Sequence, residues 1–122
     1  MNEINGTFAI EQENATVIVA PLMNLGELEY DRIERGGREI LERLAAAHAK
    51  NVVLDLGQID YFGSTALGFF VRLWNRASQQ GGQMALCGVS RQEREVLQRT
   101  RLDTVWSICD TRDEALAAIS TT

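Results

Sequence analysis

The chain has 122 residues, 45% of them hydrophobic, which suits one continuous core and leaves little material for a second. Its 12 basic and 17 acidic side chains give a formal charge of -5, so the net field repels a nucleic-acid backbone. No stretch reaches the ~20 apolar residues of a membrane helix, and Met1-Asn2-Glu3 does not open like a signal peptide. The expectation is one domain over residues 1–122, located in the cytoplasm, with neither nucleic acid nor membrane as a partner.

Thr7 to Glu13 alternates Phe8 and Ile10 with Ala9 and Glu11, and Ala15 to Ala20 is apolar and β-branched. With Asn14 as the turn residue, the two predict a β-hairpin. Its first strand is expected at a sheet edge, where a second copy could pair, so the chain is read as a monomer or weak homodimer. From about Leu28 to His48, Ile33, Ile40, Leu41, Leu44, Ala45 and His48 recur at helical spacing, with Gly36-Gly37 weakening the middle. Asn51 to Leu56 carries the unbroken run Val52-Val53-Leu54, the pattern of a central parallel strand covered on both faces.

Ser64 to Gln80 places Leu67, Phe70, Val71 and Trp74 on one stripe, widened by Phe69, Leu73 and Ala77, and is expected to be the most buried helix. Gly81-Gly82 ends it. Gln83 to Gly88 reads as a strand, and Ser90 to about Thr100 as a helix with Arg91, Glu93, Arg94 and Arg99 toward water. Val105 to Cys109 reads as a further strand, and Asp110 as the cap of a helix through Ile119. The order β-β-α-β-α-β-α-β-α predicts an α/β fold, a mixed sheet opened by a β-hairpin with helices packed on it.

In such sheets function gathers in the loops after the carboxyl ends of strands. The loop after Leu56 leads through Asp60-Tyr61-Phe62-Gly63 to Ser64-Thr65 at a helix start. Two readings stand there: Ser64 as a plain N-cap with Thr65 as the first helical residue, or two hydroxyls at a site that welcomes phosphate. Cys87 and Cys109 fit neither a zinc nor a disulfide spacing and read as small buried hydrophobes; no metal or cofactor is implied. A single histidine, His48, and the absence of a Gly-x-Ser-x-Gly elbow or a phosphate-binding loop around Lys50 argue against intrinsic catalysis. The arginines 91, 94, 99 and 101, interleaved with Glu93 and Glu95, read as a solvated face.

Val53-Leu54-Asp55-Leu56 followed by Ile59-Asp60-Tyr61-Phe62-Gly63-Ser64-Thr65-Ala66-Leu67-Gly68 resembles the central signature of STAS domains, the fold of bacterial anti-sigma-factor antagonists. Gly26-Glu27-Leu28-Glu29, Gly81 to Ser90, Arg101-Leu102-Asp103 and Asp110 to Ile119 extend the likeness over essentially the whole chain.

The resemblance implies a partner-switching regulator that binds an anti-sigma factor of the Ser/Thr kinase type when unphosphorylated and releases it when phosphorylated. A cognate phosphatase would restore the unmodified form. By position the phosphoacceptor falls on Thr65, with Ser64 as the alternative, and the partner surface on Glu29, Tyr61, Phe62, Gly63, Ser64, Thr65 and Gly68. Of Tyr61 and Phe62, one is expected in the core. Two residues depart from the pattern: Gly63 stands where the family usually has aspartate, and Ala66 where it usually has glycine. The other reading within the family is an unphosphorylated scaffold or assembly subunit in a stress-signalling or lipid-transport complex. A small hydrolase or nucleotide-binding enzyme would instead show a deep pocket around Ser64, where a shallow, exposed loop is expected.

Overall fold

A computed structural model of the chain describes residues 2–4, 6–46 and 49–120. Its sheet has six strands in the order of the sequence: β1 (Asn2–Ile4), β2 (Phe8–Glu13), β3 (Thr16–Pro21), β4 (Asn51–Asp55), β5 (Met84–Cys87) and β6 (Ser107–Cys109). β1, β2 and β3 pair antiparallel, and β3 to β6 pair parallel. The hairpin closes as expected, with Glu13 opposite Thr16 and Asn14 at a φ of 54°, a left-handed turn position that asparagine tolerates. The short β1 pairs with β2, so the Thr7 to Glu13 segment is interior to the sheet rather than an edge.

The parallel strands are joined through α1 (Tyr30–Ala46), α2 (Ser64–Gln79) and α3 (Arg91–Arg99), and α4 (Arg112–Ser120) follows β6. The two-residue period of the strands divides the core in two. Val17, Val19, Val52, Leu54, Met84 and Leu86 meet the apolar faces of α1, α2 and α3. Ile18, Val53, Ala85 and Cys87 meet Ala115 and Ile119 of α4 on the other face. β4 is therefore covered on both sides, which is why it reads as an unbroken apolar run.

Packing corrects several details of the helices. On α2 the fully buried residues are Ala66, Phe69, Phe70, Leu73 and Ala77, while Leu67, Val71 and Trp74 are half-buried, so the stripe centre is rotated. On α1, Ile33, Ile40 and Leu44 are buried as expected but Ala45 is exposed; His48 lies outside the described residues. Gly37 is a contact point rather than only a weak spot: a Cβ there would come 2.7 Å from Cε1 of Phe69, so the missing side chain lets α1 and α2 approach. Beyond Gln79, α2 is closed by Gln80 and by Gly81 at a left-handed φ of 78°, with the Gly82 amide donating to the Ala77 carbonyl at 2.8 Å.

Glu93 does not face water. It is 1% exposed and closes a capping box: its Oε1 accepts the Ser90 amide at 2.8 Å while Ser90 Oγ accepts the Glu93 amide at 3.2 Å. Thr111, not Asp110, accepts the amide at the head of α4 (3.1 Å, from Glu114), and the Glu114 carboxylate accepts the Asp110 and Thr111 amides in return. The last strand is also shorter than expected, because Leu102–Thr104 forms a 3-10 turn and Val105 stays exposed ahead of it.

Candidate functional site

Three loops converge beyond the carboxyl ends of β3, β4 and β5. The first begins after Pro21 and enters a 3-10 turn, Glu27–Glu29; the second carries Leu56 to Gly63 into α2; the third leads to Ser90 at the head of α3. Asn24 ties the first two, its Oδ1 accepting the Asp60 amide at 3.0 Å and the Tyr61 amide at 3.3 Å while its Nδ2 donates to Asp60 Oδ1 at 2.9 Å. A one-residue parallel bridge, Leu25 to Phe62, adds two backbone bonds: the Leu25 amide to the Tyr61 carbonyl at 3.2 Å and the Gly63 amide to the Leu25 carbonyl at 2.8 Å. Ser90 Oγ donates to the Asp60 carbonyl at 3.0 Å and brings in the third loop. The turn before α2 is thus held by polar contacts along its length, which fixes where its side chains point.

Beneath it, Asp55 at the end of β4 accepts the Gly57 amide at 2.9 Å and pairs with Arg112 of α4 at 2.9 Å, and Arg112 also reaches Glu11 of β2. Gly88, φ 67°, lies so close to Gly57 that a Cβ would sit 2.7 Å from its backbone nitrogen.

Within this frame Phe62 turns inward, 3% exposed, and meets Phe70 edge-on at 5.2 Å, so its place is in the core rather than on a docking surface. Tyr61 points out, 45% exposed. Gly63 is buried; Ser64 is exposed; Thr65 is half-buried in the first turn of α2; Gly68 is exposed on the following turn. Glu29 pairs with Arg32 at 3.4 Å within its own segment.

Ser64 does not cap α2. Gly63 occupies the N-cap position, and the carboxylate that serves the helix end comes from Glu27: its Oε1 accepts the Ser64 amide at 3.1 Å and lies 3.4 Å from Ser64 Oγ. The sequence reading gave Glu29 to the partner surface; the carboxylate that reaches the turn is that of Glu27, two positions earlier. Leu28, between them, was read only as a helix start and given no place in the site: it is 98% exposed, on a turn that buries none of its residues. A lone leucine between two glutamates, Glu27 and Glu29, was the available signal.

Beside the turn lies an open groove of about 270 Å³ lined by Tyr61, Phe62, Val96, Arg99 and Glu93. Burial pushes the Glu93 carboxyl above its ordinary value, and its second oxygen has no hydrogen-bond partner. Among the described residues no cluster of three His, Cys, Asp or Glu could hold a metal ion, and no helix is long and apolar enough to cross a membrane.

A family model described as STAS domain matches residues 11–115. Over 72 residues the chain is 31% identical to the Bordetella bronchiseptica protein BtrV, named as an anti-sigma factor antagonist. That match takes in 59% of this chain and 62% of BtrV, less than two thirds of the relative's length. Over 94 residues it is 24% identical to the anti-sigma F factor antagonist of Paenibacillus polymyxa, covering 77% of this chain and 80% of that one. Among solved structures, an anti-sigma-factor antagonist (STAS) domain protein from Planctomyces limnophilus superposes with a TM-score of 0.80 at 32% identity, covering 93% of this chain and 97% of that one.

Proposed function

The chain belongs to the STAS domain family, and from that premise we propose that it is an anti-sigma-factor antagonist acting by partner switching, in the cytoplasm and without catalysis of its own. The observation that carries this reading is the company kept by Ser64 and Thr65. Two adjacent hydroxyls stand at the amino terminus of α2, beside an exposed tyrosine and a leucine that is 98% solvated. Side chains of that kind lose free energy by facing water and gain it when a partner covers them. The partner is an anti-sigma factor of the Ser/Thr kinase type, which the unmodified chain draws away from its sigma factor.

Within the complex the kinase transfers the γ-phosphoryl group of ATP to the Thr65 hydroxyl. The threonine oxygen bonds to phosphorus, the bond from phosphorus to the ADP oxygen breaks, and the hydroxyl proton passes to the kinase's base. The product carries about 1.5 to 2 extra negative charges at neutral pH. First-turn amides and the positive end of the α2 dipole accommodate that charge within the domain. A partner surface packed on the turn has no such compensation and dissociates. A cognate phosphatase returns the chain to its binding form.

Incubation with the partner kinase and ATP, followed by intact-mass measurement, tests this: the wild type gains one phosphate, Thr65→Ala gains none, and Ser64→Ala keeps the gain. Retention of the mass shift in Thr65→Ala with its loss in Ser64→Ala would move the acceptor to Ser64. No shift in the wild type, with a kinase that labels its own known substrate, would favour the second reading, a scaffold or assembly subunit that is never phosphorylated. The observation on that side is that Thr65 is half-buried and the Ser64 amide already has a carboxylate partner.

A further inference from the structure

We propose that Glu27 is the positioning carboxylate of the turn and the group that phosphate displaces, so that modification at Thr65 is relayed to Leu28. This role rests on the phosphoswitch reading above and adds to it a specific residue and a path. The reasoning starts from Gly63. Its backbone, φ -97° and ψ -172°, is extended, a conformation open to any residue, so no dihedral requirement calls for glycine there. Space does. A Cβ built at position 63 would overlap Glu27 Oε1, lie 3.1 Å from Glu27 Cδ and 3.6 Å from its amide nitrogen. A side chain at 63 and the Glu27 carboxylate in its present place exclude one another.

That carboxylate holds two things at once. It satisfies the Ser64 amide, at 3.1 Å, and it stands 3.4 Å from the Ser64 hydroxyl, next in sequence to Thr65. The positive end of a helix favours one anion in its first turn. When a phosphate arrives on Thr65, it seeks the same donors with a larger charge, and the two anions repel in close quarters.

Glu27 is the one that can leave. It sits on an exposed three-residue turn, whereas the base of its loop stays tied through Asn24 and Leu25. Departure of the Glu27 carboxylate removes the contact that holds this turn to the head of α2, and Leu28 lies on the same turn. Phosphorylation thereby alters the apolar docking side chain as well as the local charge.

Four full-length proteins test the role: wild type, Glu27→Ala, Gly63→Asp, and the double variant Glu27→Ala/Gly63→Asp. Each is melted, and each is phosphorylated by the partner kinase under conditions that give kcat/KM. Glu27→Ala should lower kcat/KM by ~10-fold or more. Gly63→Asp should lower the melting temperature when Glu27 is present and leave it unchanged when residue 27 is alanine. The double variant should regain most of the phosphorylation rate, because the aspartate introduced at position 63 then supplies the carboxylate removed from position 27. The amide resonances of Glu27 and Leu28 should shift on phosphorylation of the wild type.

A double variant labelled no faster than Glu27→Ala, or a Gly63→Asp effect on melting that is the same in both backgrounds, would overturn the role. So would a Glu27→Ala protein that melts early yet is phosphorylated at the wild-type rate, since that marks a cap and nothing more. If the wild type accepts no phosphate from an active kinase, the switch reading falls and this role with it. If the wild type is labelled and Glu27 proves indifferent, only the present proposal falls.

Discussion

Leu28→Ala should leave the fold untouched and weaken the complex with the anti-sigma factor. The leucine is 98% exposed, on a turn with no buried residue, so the free domain loses no burial when its outer carbons are removed. Stability should stay within ~0.5 kcal/mol of the wild type, as for surface substitutions generally. In a complex that covers the side chain, three lost carbons at ~0.8 kcal/mol each amount to about 2 kcal/mol. That corresponds to a Kd higher by roughly 30-fold, carried mainly by faster dissociation.

Calorimetric titration of wild type and variant with the anti-sigma factor, alongside thermal melts, reads both quantities. Val105→Ala is the control: Val105 is 49% exposed but precedes β6 at the opposite end of the sheet, so its loss should not change Kd. An unchanged Kd for Leu28→Ala, or an equal loss for Val105→Ala, would refute the placement of the docking surface.

Gly37→Ala should lower the melting temperature, because a Cβ 2.7 Å from Phe69 Cε1 meets a ring already held by Phe8 at 5.4 Å and Phe70 at 6.1 Å. The overpacking cost of ~1–3 kcal/mol exceeds the gain of ~1 kcal/mol in helix propensity; a variant as stable as the wild type would contradict the close α1–α2 contact. Burial raises the Glu93 carboxyl above its ordinary 4.5, so its favourable contribution is present below that value and is lost as pH rises through the raised one. Glu93→Gln should therefore gain stability relative to the wild type as pH rises from about 4.5 through the raised value, and a difference in melting temperature that stays flat would argue against the buried placement. The Cys87 thiol, pushed up to about 12 first by burial and then by Asp55, should be alkylated far more slowly in the native protein than in the unfolded chain, and equal rates would contradict its position under α4.

Much of the fold was legible because strand and helix periods are local. The hairpin, the doubly covered β4 and the order of crossovers all follow from apolar spacing within a few residues. Contacts that join distant segments left no such trace. Glu27 and Ser64 are 37 positions apart, and nothing in either neighbourhood shows that one serves the other. Gly63 hinted at it, but a missing side chain reveals its reason only once the neighbour that fills the space is known. β1, three residues long, is too short to display a period.

Glu93 was misread by treating charge as a sign of exposure, although Ser90-x-x-Glu93 is itself a capping-box pattern and Thr111-x-x-Glu114 another. Tyr61 and Phe62 are adjacent yet opposite in burial, because the Leu25 bridge fixes which one faces inward.

The most direct measurement is the affinity of the anti-sigma factor for this chain in its unmodified form and in a form phosphorylated stoichiometrically at Thr65. The switch predicts tight binding for the first and a Kd at least ~100-fold weaker for the second, with circular dichroism and melting nearly the same for both. Equal affinities, in samples whose masses verify the modification, would contradict it.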